Sequence, residues 1–182
     1  MANRSPIDRT KAWLEHWVIA LDLCPFAARP FKEDKIRYQL VKEKEVFDLM
    51  DRFIEELGFL QKHEAVDTTI LILEGLGEDF EDYLDIYYFL ESKLADFGLE
   101  EDFQLASFHP EYQFEGEEEM AHSNYTNRSP FPLIHILRSE QVEAARRFYP
   151  DIEAIPERNI EKMDAMRLDE IKDKFNEFKG EN

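Results

Sequence analysis

The sequence has one cysteine, six glycines and no apolar run near the roughly 18 residues that a membrane-spanning helix needs. Each shortage excludes something. Cys24 has no partner for an internal disulfide, which points to a reducing compartment. The first ten residues carry charges and Pro6 but no apolar stretch of signal-peptide length, and a cytoplasmic location is the expectation. Positive charge is also scarce, with 22 Lys and Arg against 41 Asp and Glu and a net charge of −19. Duplex nucleic acid and anionic membranes both reward clustered bases, so neither is an expected partner. Disorder is excluded by a 43% hydrophobic share that includes 15 Phe, 7 Tyr and 2 Trp. A chain of this length buries about 70% of its unfolded surface without a disulfide or metal staple, and one domain over residues 1–182 is expected.

What is present is strong periodicity. Ser5-Pro6-Ile7-Asp8 reads as a helix start, followed by the stripe Trp13, Trp17 and Leu21, with Pro25 as the stop. Ile36–Val41 reads as a strand. Val46, Met50, Phe53, Leu57 and Leu60 step by four and three along one helix face. Thr68–Leu73 has no polar face and predicts a central strand covered on both sides. Phe80, Tyr83, Tyr87, Leu90, Leu94 and Phe97 predict a third helix, which Gly98 stops. Strands are expected at Phe103–Phe108 and Leu133–Arg138, and helices at residues 141–148 and 156–178. The two strand–helix–strand units favour parallel pairing, whereas the last two strands have no helix between them and could pair antiparallel. The expected fold is α+β, a four-stranded mixed sheet packed with about five helices.

Charge is uneven. Residues 43–119 hold 24 acids and 4 bases, while the rest of the chain holds 17 acids and 18 bases. A solvated polar face explains most of that block. Glu78, Asp79, Glu81, Asp82 and Asp85 could also form a docking face or a divalent-cation site, although carboxylates at a helix start are favoured by the macrodipole alone.

The candidate chemistry lies in two segments around the third and fourth strands. His109-Pro110-Glu111-Tyr112-Gln113 leaves the third strand, and Asn124-Tyr125-Thr126-Asn127-Arg128-Ser129-Pro130 enters the fourth. Asn, Tyr, Thr and Arg offer directional donors, acceptors and a guanidinium fork, and loops beyond strand ends are where open sheets place ligands. These segments, with Leu23-Cys24-Pro25-Phe26-Ala27, His135, Leu137, Arg138 and Glu157-Arg158-Asn159, resemble the bacterial family catalogued as domain of unknown function 1415. The resemblance implies a single cytoplasmic domain and carries over no catalytic residue.

The residues themselves suggest an enzyme acting on a small anionic metabolite, phosphorylated or carboxylated. Arg128 with Arg138 or Arg158 would anchor the anion, and Tyr112, Gln113, Asn124, Tyr125, Asn127 and His135 would line the site. His109 would be the acid/base, with Cys24 as a candidate nucleophile or, equally, a small apolar core group. Cys24, His109 and His135 lack the close ligand pair of zinc motifs, so no metal and no cofactor is expected. The alternative is a non-catalytic binding or regulatory module that uses the acidic face or the C-terminal helix, whose apolar stripe could also form a homodimer seam.

Overall fold

Six-residue segments rich in β-branched and aliphatic residues, each bounded by turns, build the sheet. In the computed structural model, which describes residues 4–149 and 151–180, these are β1 (Ile36–Val41), β2 (Thr68–Leu73), β3 (Phe103–Phe108) and β4 (Leu133–Arg138), ordered β1-β2-β4-β3. β1 and β2 are parallel, and β4 runs antiparallel to both β2 and β3. The last strand therefore inserts between β2 and β3. This is the expected α+β fold and mixed sheet.

Side-chain alternation splits the core in two. Ile70 and Ile72 of β2 pack on one face with Ile36 and Leu133, while Leu71 and Leu73 pack on the other with Val41, Ile134 and Ile136. All six residues of β2 are buried, as its missing polar face predicts. Helices α3 (Val46–Lys62) and α4 (Phe80–Asp96) cover the second face through Leu49, Phe53, Leu57, Tyr83, Leu90 and Leu94. The first face is covered by α1 (Pro6–Trp13), α6 (Ile155–Asp164) and α7 (Leu168–Lys179).

Seven α-helices are present among the described residues, where the sequence predicts about five. The expected helix at residues 156–178 is two, α6 and α7. Arg167 between them is extended, and the break lets Met163 and Ile171 enter the same core. Ile171, Phe175 and Phe178 are buried within the chain. The short α2 (Ala28–Lys32) follows Pro25 and has no periodic signal, and α5 (Ser139–Phe148) starts two residues before its expected first residue. Ser5 caps α1 as predicted, its Oγ accepting from the Asp8 N–H. The helix does not run regularly to Pro25, because Leu14–Ile19 widens into a π-helical stretch, with a turn after it.

Candidate functional site

Residues 109–130 form a long connection over the end of β3, exposed through its glutamates and buried at His109, Asn124, Tyr125, Arg128 and Ser129. Asn124 is fully buried in the 3-10 helix His122–Thr126. Its Oδ1 accepts from the Phe114 N–H (3.0 Å), and its Nδ2 donates to the carbonyls of Glu118 (2.9 Å) and Glu119 (3.1 Å). One side chain thus replaces the regular structure that this segment lacks, because main-chain groups without partners are costly to bury. Arg128 continues the pattern. It is 8% exposed, its guanidinium donates to the carbonyls of Tyr112 (3.2 Å) and Glu119 (2.7 Å), and it lies 4.4 Å from the centre of the Tyr125 ring. Asn127 donates to the Ser107 carbonyl (3.3 Å), and Gln113, though exposed, donates to that of Glu117 (2.7 Å).

His109 lies fully buried where the two ends of the loop meet, opposite Arg128, its N–H donating to the Asn127 carbonyl (3.3 Å) and its carbonyl accepting from the Ser129 N–H (3.3 Å). Its Nδ1 accepts from the Glu111 N–H (3.0 Å), which leaves Nε2–H to donate to the Gly77 carbonyl (3.0 Å). Burial against Phe80 and Tyr83 pushes its pKa down, and both ring nitrogens are occupied. Gly77 is required there twice over, since its φ is +65° and a Cβ would lie 3.3 Å from the Tyr83 backbone.

Three aromatic side chains hold the loop, and the sequence pattern reads all three as plain core. From α4, the Tyr83 hydroxyl donates to the Leu133 carbonyl (2.7 Å) and accepts from the Phe108 N–H (2.9 Å), joining β3 and β4 at the loop's base. From the first helix, the indole N–H of Trp13 donates to the Arg128 carbonyl (3.1 Å) and that of Trp17 to the Tyr125 carbonyl (3.1 Å). The available signal was the chemistry of the residue types, because a buried Tyr or Trp needs a partner for its polar atom.

The structure therefore brings together His109, Tyr112, Gln113, Asn124, Tyr125, Asn127 and Arg128. It does not add the other expected residues. Arg138 lies at the far end of β4, roughly 17 Å along the strand from Leu133. There it donates to the carbonyls of Leu60, His63 (3.2 Å) and Val66 (3.1 Å) and so caps the C-terminus of α3. His135 sits mid-strand opposite Ile70 and Ala106, within 2.6 Å of the Thr68 hydroxyl, and burial pushes its pKa down to about 4. The Cys24 thiol is favoured as a thiolate by the N–H groups of Phe26 and Ala27, but burial outweighs them and raises its pKa. Arg158 is exposed on α6, and it is the neighbouring Asn159 that turns inward to the Leu23 carbonyl (2.7 Å).

The acidic block behaves differently. Asp79 caps α4, accepting from the N–H groups of Glu81 (2.9 Å) and Asp82 (3.3 Å), while Glu78, Glu81, Asp82 and Asp85 are exposed. Among the described residues no group of three His, Cys, Asp or Glu side chains could hold a metal ion, and no helix is long and apolar enough to cross a membrane.

Fold and site together define an α+β protein with a polar connection locked over one end of its mixed sheet and an acidic layer on one face. The model of the family described as protein of unknown function (DUF1415) matches residues 5–173, and the chain belongs to that family. No curated protein and no solved structure matches it.

Proposed function

We propose that the protein is a non-catalytic binding module that engages a basic protein partner through the acidic outer surface of α4. The observation that carries this reading is Tyr88, a large aromatic side chain left 59% exposed among carboxylates. Asp85 and Glu91 lie three residues to either side of it on the helix surface, and both are exposed. An aromatic ring flanked by two carboxylates suits Arg or Lys, which it meets by cation–π contact and ion pairing together, and Tyr is enriched among residues that dominate interfaces. His109, Asn124, Asn127 and Arg128 of the 109–130 connection support the same choice from the other side, since they are spent on main-chain partners. The anion-binding enzyme expected from the sequence needs Arg128 with Arg138 or Arg158 around one anion. Arg128 and Arg138 instead bond carbonyls, Arg128 ahead of β4 and Arg138 at its far end, and Arg158 is exposed on α6, so no observation favours that reading over the module.

The test is titration of a short Arg/Lys-rich peptide into the protein and into Tyr88→Ser and Asp85→Lys. Saturable binding, weakened about tenfold by Tyr88→Ser although that change leaves the net charge intact, supports the module. Binding that follows net charge alone and ignores Tyr88 overturns it.

A further inference from the structure

Phe47 of α3 is 73% exposed, more than any other large apolar side chain among the described residues. Ile54, seven residues on, is 39% exposed on the same helix face. Gly58, eleven residues on from Phe47, completes an outward stripe three turns or about 17 Å long. Both ends of that stripe are unfavourable in the free chain. An exposed Phe gains nothing from burial, and a glycine inside a helix is less stable than an alanine. Nothing within the molecule requires that glycine, since a Cβ at Gly58 would meet no atom within 4 Å. We infer that the stripe is a docking surface for a basic amphipathic helix of a protein partner, which lays its apolar face along Phe47 and Ile54 and crosses α3 closely at Gly58. The surface lies on α3, and the inference does not rest on the reading of α4.

Charge selects the occupant. Asp48, Asp51 and Glu55 line one flank of the stripe and are exposed, with Lys62 the base at its far end. Arg52 is already bound to Glu55 (2.9 Å) and Glu43 (3.2 Å), whereas Asp48 and Asp51 have no ion pair among the described residues. A helix with Leu or Ile at three- and four-residue steps and Lys or Arg along one flank meets the apolar stripe and the carboxylates together. A second copy of this chain does not fit. Antiparallel pairing that seats Phe47 over the other copy's Gly58 sets Asp48, Asp51 and Glu55 beside their own equivalents, and like charges brought together repel. Gly58 gains a role once a helix lies across it. With no side chain in the way, the two axes can approach towards the lower end of the roughly 8–10 Å range of packed helices.

The experiment is calorimetric titration with a synthetic peptide of Leu, Ala and Lys, about five helical turns long, in which Leu recurs at three- and four-residue steps. A scrambled peptide of the same composition is the control. The protein is the full chain carrying Tyr88→Ser, so that α4 does not compete and the outcome stands whether or not α4 binds basic peptides. Expected is saturable one-to-one binding of the amphipathic peptide, at least about tenfold tighter than that of the scrambled one. Phe47→Ser, at an exposed position and with no change of charge, should erase that preference. Gly58→Ala should move two readouts in opposite directions, raising the urea midpoint of the free protein while weakening the peptide about threefold. Replacing every Lys of the peptide by Glu should abolish binding. The inference is overturned by equal binding of the two Lys peptides, by Phe47→Ser without effect, or by a Glu peptide that binds as well. Gly58→Ala that lowers the midpoint, or that leaves binding unchanged, also overturns it. A dimer of the free chain that Phe47→Ser dissolves would overturn it in favour of a second copy.

Discussion

The two helical layers solve the same packing problem with different chemistry. The α3–α4 layer is mostly aliphatic inside, with Phe53 and Tyr83, and anionic outside. Leu49, Phe53, Leu57, Leu60, Leu90 and Leu94 face the sheet, and the carboxylates of residues 43–119 largely face solvent. The α1–α6–α7 layer is aromatic inside, with Trp13, Trp17, Tyr125, Phe175 and Phe178, and is tied to the rest of the chain by side chain–main chain hydrogen bonds. Arg9 donates to the Phe178 and Lys179 carbonyls, Lys162 to those of Leu21 and Asp22, and Asn159 to that of Leu23. The first layer is held chiefly by burial, which is non-directional and tolerates many sequences, with Tyr83 and Arg138 adding directional bonds at its two ends. The second, with the connection it grips, is held by bonds that each need one residue type at one place.

The largest expected effect probes that difference at Asn124. Asn124→Ala removes three hydrogen bonds and strands the Phe114 N–H, while the Glu118 and Glu119 carbonyls keep the Ala121 N–H and Arg128, at a cost of about 3 kcal/mol in urea denaturation. If it costs no more than an exposed substitution on α4, the connection is not held by directional bonds and the comparison fails.

The next effect is that of pH. His135 and His109 both have lowered pKa values because burial disfavours the imidazolium. A group with a depressed histidine pKa is neutral when folded but takes up a proton when unfolded, once the pH falls below the ordinary value near 6.5. Stability is therefore full above that value and is lost as the pH falls towards about 4 for His135. Between pH 7 and pH 5 His135 alone accounts for about 2 kcal/mol. Denaturation midpoints across that window should fall, and His135→Gln should flatten the fall. A wild-type midpoint independent of pH there would show that the imidazoles are not held neutral.

The same division explains what could be read in advance. The four strands, α3, α4 and the Ser5 cap follow from periodicity and end signals, because an apolar stripe and a covered strand leave patterns in sequence. The break between α6 and α7 leaves none, since Arg167 departs from helix with no Gly or Pro nearby. The site was half legible. Asn124, Asn127 and Arg128 stood out as residue types unusual for a loop, and they do converge. Their targets are carbonyls brought near by tertiary structure, so the sequence could not show that they bind the chain itself. Arg138 looked equivalent to Arg128 for the same reason, and only the strand direction puts them at opposite ends of β4.

Arg138 and Trp17 offer a smaller effect. Arg138→Met keeps the aliphatic stem and removes the donors to α3's last carbonyls, at about 1–2 kcal/mol, and hydrogen exchange should rise in the last turn of α3. Trp17→Phe keeps an aromatic ring against Phe175 but strands the Tyr125 carbonyl, at about 1–2 kcal/mol plus the lost ring volume. If the exchange change in Arg138→Met appears instead around residues 109–130, the two ends of β4 are coupled and their separate roles must be merged.

The smallest effects, on the acidic layer, are the most discriminating because their signs differ. Asp82 lies in the first turn of α4, where its charge complements the unpaired N–H groups, whereas Asp85 lies one turn further in, amid carboxylates and beyond most of that benefit. Asp82→Asn should therefore lower stability slightly and Asp85→Asn raise it slightly, each within about 0.5 kcal/mol. Both shifts should vanish in 1 M salt, where the screening length is about 3 Å. A pair of shifts with the same sign would mean that mutual repulsion, rather than the helix terminus, governs the whole acidic surface. The carboxylates would then behave as one field, and residues such as Tyr88 would have to supply whatever specificity that surface has.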